Sequence, residues 1–185
     1  MYDMSATITP DTRAVLALCA HLGGLGHAAN PLSNKEYQAL ACWLRERGLR
    51  PADLFCTEVQ EQLRDHPLGD RIRALLDRHN AVAIAVEAWT QRGVWILSRA
   101  DAAYPLGWRR RLRDKAPPLL FGVGNRDLLQ AQAVAIVGSR EADGEALAFA
   151  GALGRDVATS GRAVVSGAAK GVDHAAMTAA LGVGG

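Results

Sequence analysis

The sequence predicts an α/β chain in which a small helical domain precedes the start of a doubly wound parallel sheet, incomplete at the C-terminus. Three observations predict it. Apolar residues recur every three or four positions up to about residue 90. Beyond that point, short runs rich in Val, Ile and Leu end at glycine turns. Two of these runs flank one helical stretch, giving strand, glycine turn, helix, strand, glycine turn, helix. The predicted domains are residues 1–90, helical, and 91–185, the sheet domain.

The elements follow in order. Residues 1–10 carry no pattern. From Thr12, the spacing of Val15, Leu16, Leu18, Cys19 and Leu22 predicts a helix capped by Asp11 or Thr12 and stopped at Gly23-Gly24. Ser33 and Glu36 have capping-box spacing, and Tyr37, Leu40, Ala41 and Leu44 give the next helix its inner stripe, with Gly48 at its end. Pro51 introduces a short helical piece over 51–65. One or two helices follow from about Asp70 to Trp89, with Ile72, Leu75, Leu76, Val82, Ile84, Val86 and Trp89 inward. Gly93–Leu97 and Leu119–Val123 read as strands, separated by a basic, proline-broken stretch expected to be irregular. Ala133–Gly138 is apolar on both faces, as in a central parallel strand. Residues 144–159 read as a helix, 163–167 as a strand, and a last helix starts near Asp173.

Composition narrows the function classes. Apolar residues make up 49% of 185, enough for a core, and the net charge of +2 is too mild to announce a nucleic-acid binder by itself. Lys35, Lys115 and Lys170 are the lysines among 21 basic residues. Cys19, Cys42 and Cys56 show no metal-ligand spacing, so no metal site is expected. There is no signal-peptide pattern and no bilayer-length apolar run, so a soluble cytoplasmic chain without membrane insertion is expected.

The chemistry concentrates in two glycine turns. Gly138-Ser139-Arg140 follows one buried strand, at the carboxyl end where open α/β sheets place ligands. Backbone N–H groups near a helix start, the Ser139 hydroxyl and the Arg140 fork suit phosphate. A tight turn with a surface arginine uses the same residues. Ser166-Gly167-Ala168-Ala169-Lys170-Gly171-Val172-Asp173 occupies the equivalent place after the next strand, so Lys170 is expected to join Arg140 around one anion. Asp173 suits a helix cap, and His174 an exposed first-turn position. Neither turn is a dinucleotide or P-loop motif, and no catalytic triad can be assembled.

Val134 to Arg140, followed by Val164 to Asp173, resembles the paired signature of the DprA/Smf DNA-processing family. Gly93–Leu97, Asp101, Tyr104-Pro105, Leu112, Pro117 and Leu120-Phe121-Gly122 resemble that family's entry into its Rossmann-like domain, and the helical part resembles its sterile-alpha-motif-like domain. The resemblance implies binding and protection of single-stranded DNA, loading of a RecA-type recombinase in natural transformation, and homodimerisation through the Rossmann-like domain. It implies no enzyme activity and no cofactor. By position it assigns Gly138, Ser139, Arg140, Ser166, Gly167, Lys170 and Gly171 to phosphate contact, with Lys170 where an arginine is common. Met177 stands where the family often has histidine. The glycine-rich end is expected to mark a fragment or truncated product.

Arg109 to Lys115 is the densest basic run, and reads either as a backbone-tracking strip or as a solvated face, with Trp108 beside it expected to pack. Leu22 to Gly26 resembles a helix-hairpin-helix turn or a plain helix stop. Trp43, Trp89 and Trp95 fall on apolar stripes and are expected in the core. The alternative function is a nucleotide-processing or nucleotide-binding Rossmann protein of the phosphoribohydrolase type, whose P-G-G-x-G-T motif does not occur here. An inert remnant is the third reading.

Overall fold

The computed structural model describes residues 8–22 and 29–184. Thr9 sets where the first helix begins. Its hydroxyl accepts the Thr12 N–H at 3.1 Å and Pro10 takes the first helical position, so α1 runs Pro10–Cys19. Asp11 and Thr12, expected as caps, therefore lie inside the helix, because proline fits the first turn and moves the start back. Helix α1 ends at the extended Ala20, and the glycine stop and hairpin-like turn expected at 23–26 lie outside the described residues. Arg78, 8% exposed, covers that end by donating to the carbonyls of Ala17 and Ala20.

Helix α2 (Asn34–Glu46) carries both halves of its capping box, Ser33 N–H to Glu36 at 2.7 Å and Glu36 N–H to Ser33 at 3.3 Å. It stops before Gly48, whose φ of +67° suits a residue without Cβ. The 51–65 piece is a 3₁₀ turn (Pro51–Phe55), α3 (Thr57–Gln62) and a second 3₁₀ turn (Leu63–Asp65). Helices α4 (Gly69–Leu76) and α5 (His79–Gln91) follow. Ile72, Leu75, Leu76 and Val82 are buried as expected, but Ile84 is 56% exposed. Val82 and Ala85 set the inner line of α5, and Ile84, two residues from Val82, falls on the opposite side of the helix.

Strands β1 (Val94–Ser98) and β2 (Leu119–Val123) pair antiparallel, Ile96 opposite Phe121. Between them, the stretch expected to be irregular contains α6 (Leu106–Leu112) and a 3₁₀ turn (Arg113–Lys115). Its prolines bracket this helix: Pro105 precedes it and Pro117 and Pro118 follow. Helix α6 buries none of its residues, and Trp108 is 40% exposed, not packed as expected. Trp43 and Trp89 pack against the helical core, with Trp89 edge-on to Phe121. Trp95 lies over Gly122 and donates to the Gly124 carbonyl at 3.0 Å.

Residue contacts divide the chain into two compact units, Met1–Gly124 and Asn125–Gly185. The first runs past residue 90 because Ile96 and Leu119 join the core formed by Leu16, Leu40, Leu54, Leu63 and Leu75. An acidic knot ties β1 to α1 there. Asp101 accepts from the Ser98 N–H (2.7 Å), the Thr12 hydroxyl (2.7 Å) and the Thr9 hydroxyl (2.8 Å). Tyr104, 1% exposed, donates to the Pro117 carbonyl at 2.9 Å. Asp101, Tyr104 and Pro117 thus hold this unit together.

The second unit is a strand–helix–strand–helix. Strands β3 (Ala133–Ala135) and β4 (Ala163–Val165) pair in parallel, and α7 (Gly144–Thr159) packs on α8 (Val172–Leu181). Gly154 permits the close helix approach, since a Cβ there would meet the Ala176 carbonyl. The two-faced cover expected for the 133–138 run is not found. The sheet has two strands, and Val137 and Val165 stay 74% and 54% exposed. Among the described residues no helix is long and apolar enough to cross a membrane.

Candidate functional site

Strands β3 and β4 run parallel, so their carboxyl ends deliver both glycine turns to one end of the sheet. The turns touch through backbone. Val172 N–H donates to the Ser139 carbonyl at 3.2 Å. Gly171, at φ +91°, lies against Ser139 and Arg140 so closely that any Cβ would strike the Ser139 carbonyl. Glycine is therefore required there on two grounds, conformation and room. A Cβ on Gly138 would meet the Val172 side chain at 2.8 Å.

Asp173 joins the two turns. It is 6% exposed, and its carboxylate accepts the Gly138 N–H at 3.2 Å and the Gly167 N–H at 3.1 Å. The expectation that it caps the last helix is corrected: Gly171 holds the cap position, and Asp173 sits two residues further in, turned toward the glycines. A charged acceptor with two backbone donors is a strong local clamp, each such bond contributing about 1.5–3 kcal/mol. It also spaces Gly138 and Gly167 by the width of one carboxylate.

The clamp leaves other donors open. Among the described residues, the N–H groups of Ser139, Arg140, Lys170 and Gly171 have no acceptor. Arg140 and Lys170 are both exposed. Ser139 Oγ accepts the Glu141 N–H at 3.1 Å, which fixes the oxygen and leaves its proton to donate. Ser166 Oγ is buried without a partner. Ala168 holds φ +54°, a left-handed conformation that costs a residue with Cβ about 1 kcal/mol. The start of α7 is closed to a ligand at Ala146, whose N–H is taken by the Asp143 carboxylate at 2.8 Å.

Charge alone does not make this site. Arg140 and Lys170 stand among Glu141, Asp143 and Asp173. What the turns offer is therefore oriented N–H groups and two exposed cations rather than a broad positive field. Asp173 is visible in the sequence as a helix-cap candidate, but spacing from a helix start cannot show which N–H a carboxylate meets. Among the described residues no three His, Cys, Asp or Glu side chains gather as a metal would require.

The fold defines the class: a Rossmann-like α/β protein preceded by a helical part, with two glycine turns at the carboxyl ends of its parallel strands. Residues 95–185, which hold both turns, match the family model of DNA recombination-mediator protein A. That match agrees with the DprA/Smf resemblance. It is also similar over 96% of its length to the X-ray structure of DNA processing protein A (DprA) from Streptococcus pneumoniae, with a TM-score of 0.58 and 25% identity. The chain spans 56% of the length of that solved protein. No curated protein matches.

Proposed function

We propose that the chain binds single-stranded DNA through the two joined turns and delivers it to a RecA-type recombinase in the cytoplasm, without bond chemistry. The observation that carries this reading is the Asp173 clamp, which sets two strand-end turns side by side with open N–H groups next to Arg140 and Lys170. Successive phosphates meet Ser139 and Arg140 on one turn and Lys170 and Gly171 on the other. Gly138, Gly167 and Ser166 shape the backbone between them. A flexible strand can bend its phosphates into this spacing, whereas a duplex holds them at fixed separations. Homodimerisation through the Rossmann-like part belongs to the same reading. The match of residues 95–185 to the recombination-mediator family model supports it.

The test is the salt dependence of oligonucleotide binding. Arg140→Ala removes one phosphate contact. The slope of log affinity against log salt should flatten by about 0.7, the value for one contact on a single strand. The loss should be equal for all base sequences. An unchanged slope and affinity would remove Arg140 from the site.

A further inference from the structure

A denser concentration of positive charge lies inside the first unit, on residues that the family signature does not use. A pocket of about 450 Å³ there is lined by Arg45, Arg50, Arg99 and Arg109. One carboxylate, Asp11, shares it. Asp11 is already engaged, paired with Arg50 and accepting the Ala52 N–H at 2.9 Å. Arg99 is held in place by the Gln38 amide oxygen at 2.7 Å and by its own N–H on the Pro118 carbonyl. Among the described residues the Arg109 guanidinium has no acceptor, and that of Arg45 has only the Cys42 sulfur at 3.7 Å. Two guanidinium forks are thus fixed at the pocket and two are free to close on something.

The rest of the wall is apolar. Tyr37, 3% exposed, lines it together with Ala41 and Leu44. Burial pushes the Tyr37 phenol up, against the opposing charges of Arg99 and Arg109, so its hydroxyl stays a neutral donor. A volume of this size suits one small molecule. Planar forks arriving from several elements suit a doubly charged group with three acceptor oxygens better than a singly charged carboxylate. Arginine faces and an apolar wall also suit a base ring.

The geometry points to a second ligand site in this unit that takes the terminal phosphate of a nucleotide, supplied by a free nucleotide or by the end of a DNA strand. It is distinct in sequence from the two turns and stands whether or not they bind DNA.

The experiment is ¹H–¹⁵N NMR titration of the full chain at fixed ionic strength, following the Gly48 amide and the Nε–H groups of Arg45, Arg99 and Arg109. The probes are thymidine, thymidine 5′-monophosphate, and a short oligo-dT with and without a 5′-phosphate. Saturable shifts are expected with the monophosphate, with the phosphorylated oligonucleotide, or with both, and not with their unphosphorylated partners. Response to the monophosphate assigns free nucleotides, and response to the phosphorylated strand alone assigns strand ends. Arg45→Ala combined with Arg109→Ala, both exposed and without an ion pair among the described residues, should weaken binding at least about tenfold. Arg64→Ala, exposed and outside the pocket lining, should leave it unchanged. The proposal is overturned if no phosphate probe produces saturable shifts at millimolar concentration. It is equally overturned if the unphosphorylated partners shift the pocket as strongly, or if the double variant binds as well as the parent.

Discussion

Asp173→Ala should weaken single-strand binding by about tenfold or more, although it removes a negative charge from a site for an anion. Charge alone predicts the opposite sign. Removing one carboxylate near two phosphates relieves like-charge repulsion and so favours binding. The clamp acts the other way. Without the carboxylate, the Gly138 and Gly167 N–H groups lose their common acceptor, and the turns are no longer spaced by it. The open donors beside them then have to be ordered at binding, and 1.4 kcal/mol of ordering cost is one factor of ten. The same change should lower the stability of the second unit by about 2 kcal/mol, since both stranded N–H groups are only partly buried. Two measurements check it together: oligonucleotide anisotropy, and hydrogen exchange of the 138 and 167 amides, which should speed up. Tighter binding with unchanged exchange would mean that Asp173 acts only through its charge. Asp173→Asn should fall between, because the amide keeps one acceptor oxygen.

The largest expected loss of stability belongs to Asp101→Ala in the first unit. This carboxylate gathers the Ser98 N–H and the Thr9 and Thr12 hydroxyls, and Thr12 and Ser98 are 1% and 0% exposed. Removing it strands the Ser98 N–H in a place without water. The two buried hydroxyls can still bond each other, as they do at 2.8 Å. Losing charge-assisted bonds, offset by that remaining pair, costs about 3 kcal/mol. Thermal or denaturant unfolding followed by the tryptophans of this unit should show it. Asp114→Ala, on an exposed turn, should change stability by no more than about 0.5 kcal/mol. Equal behaviour of the two variants would remove the knot from the account.

These two aspartates also show how far the sequence could be read. The helical periodicity, the Ser33–Glu36 capping box and the 144–159 helix were legible because their signals are local. The paired glycine turns and the family were legible because the residue types are unusual at that spacing. What a carboxylate holds is not local. Asp101 meets residues 89 and 92 positions away, and Asp173 meets Gly138 across 35. Helix α6 was hidden because it is only seven residues long, with Arg109, Arg110 and Arg111 in succession, too short to show a helical period between its flanking prolines. The antiparallel pairing of β1 with β2 was hidden because a strand's sequence does not name its partner, and that pairing carries the first unit to Gly124. The arginine pocket was invisible for the same reason, since Arg45 and Arg109 come together only through the fold.

The central claim, that the two clamped turns form a working single-strand site, is tested most directly by fluorescence anisotropy of the full chain with a labelled single-stranded oligonucleotide across a salt series, with duplex of equal length as competitor. The account predicts binding that falls with salt, resists duplex competition and is weakened in Asp173→Ala and Arg140→Ala. Absence of binding by a folded sample, or equal competition by duplex, would contradict it.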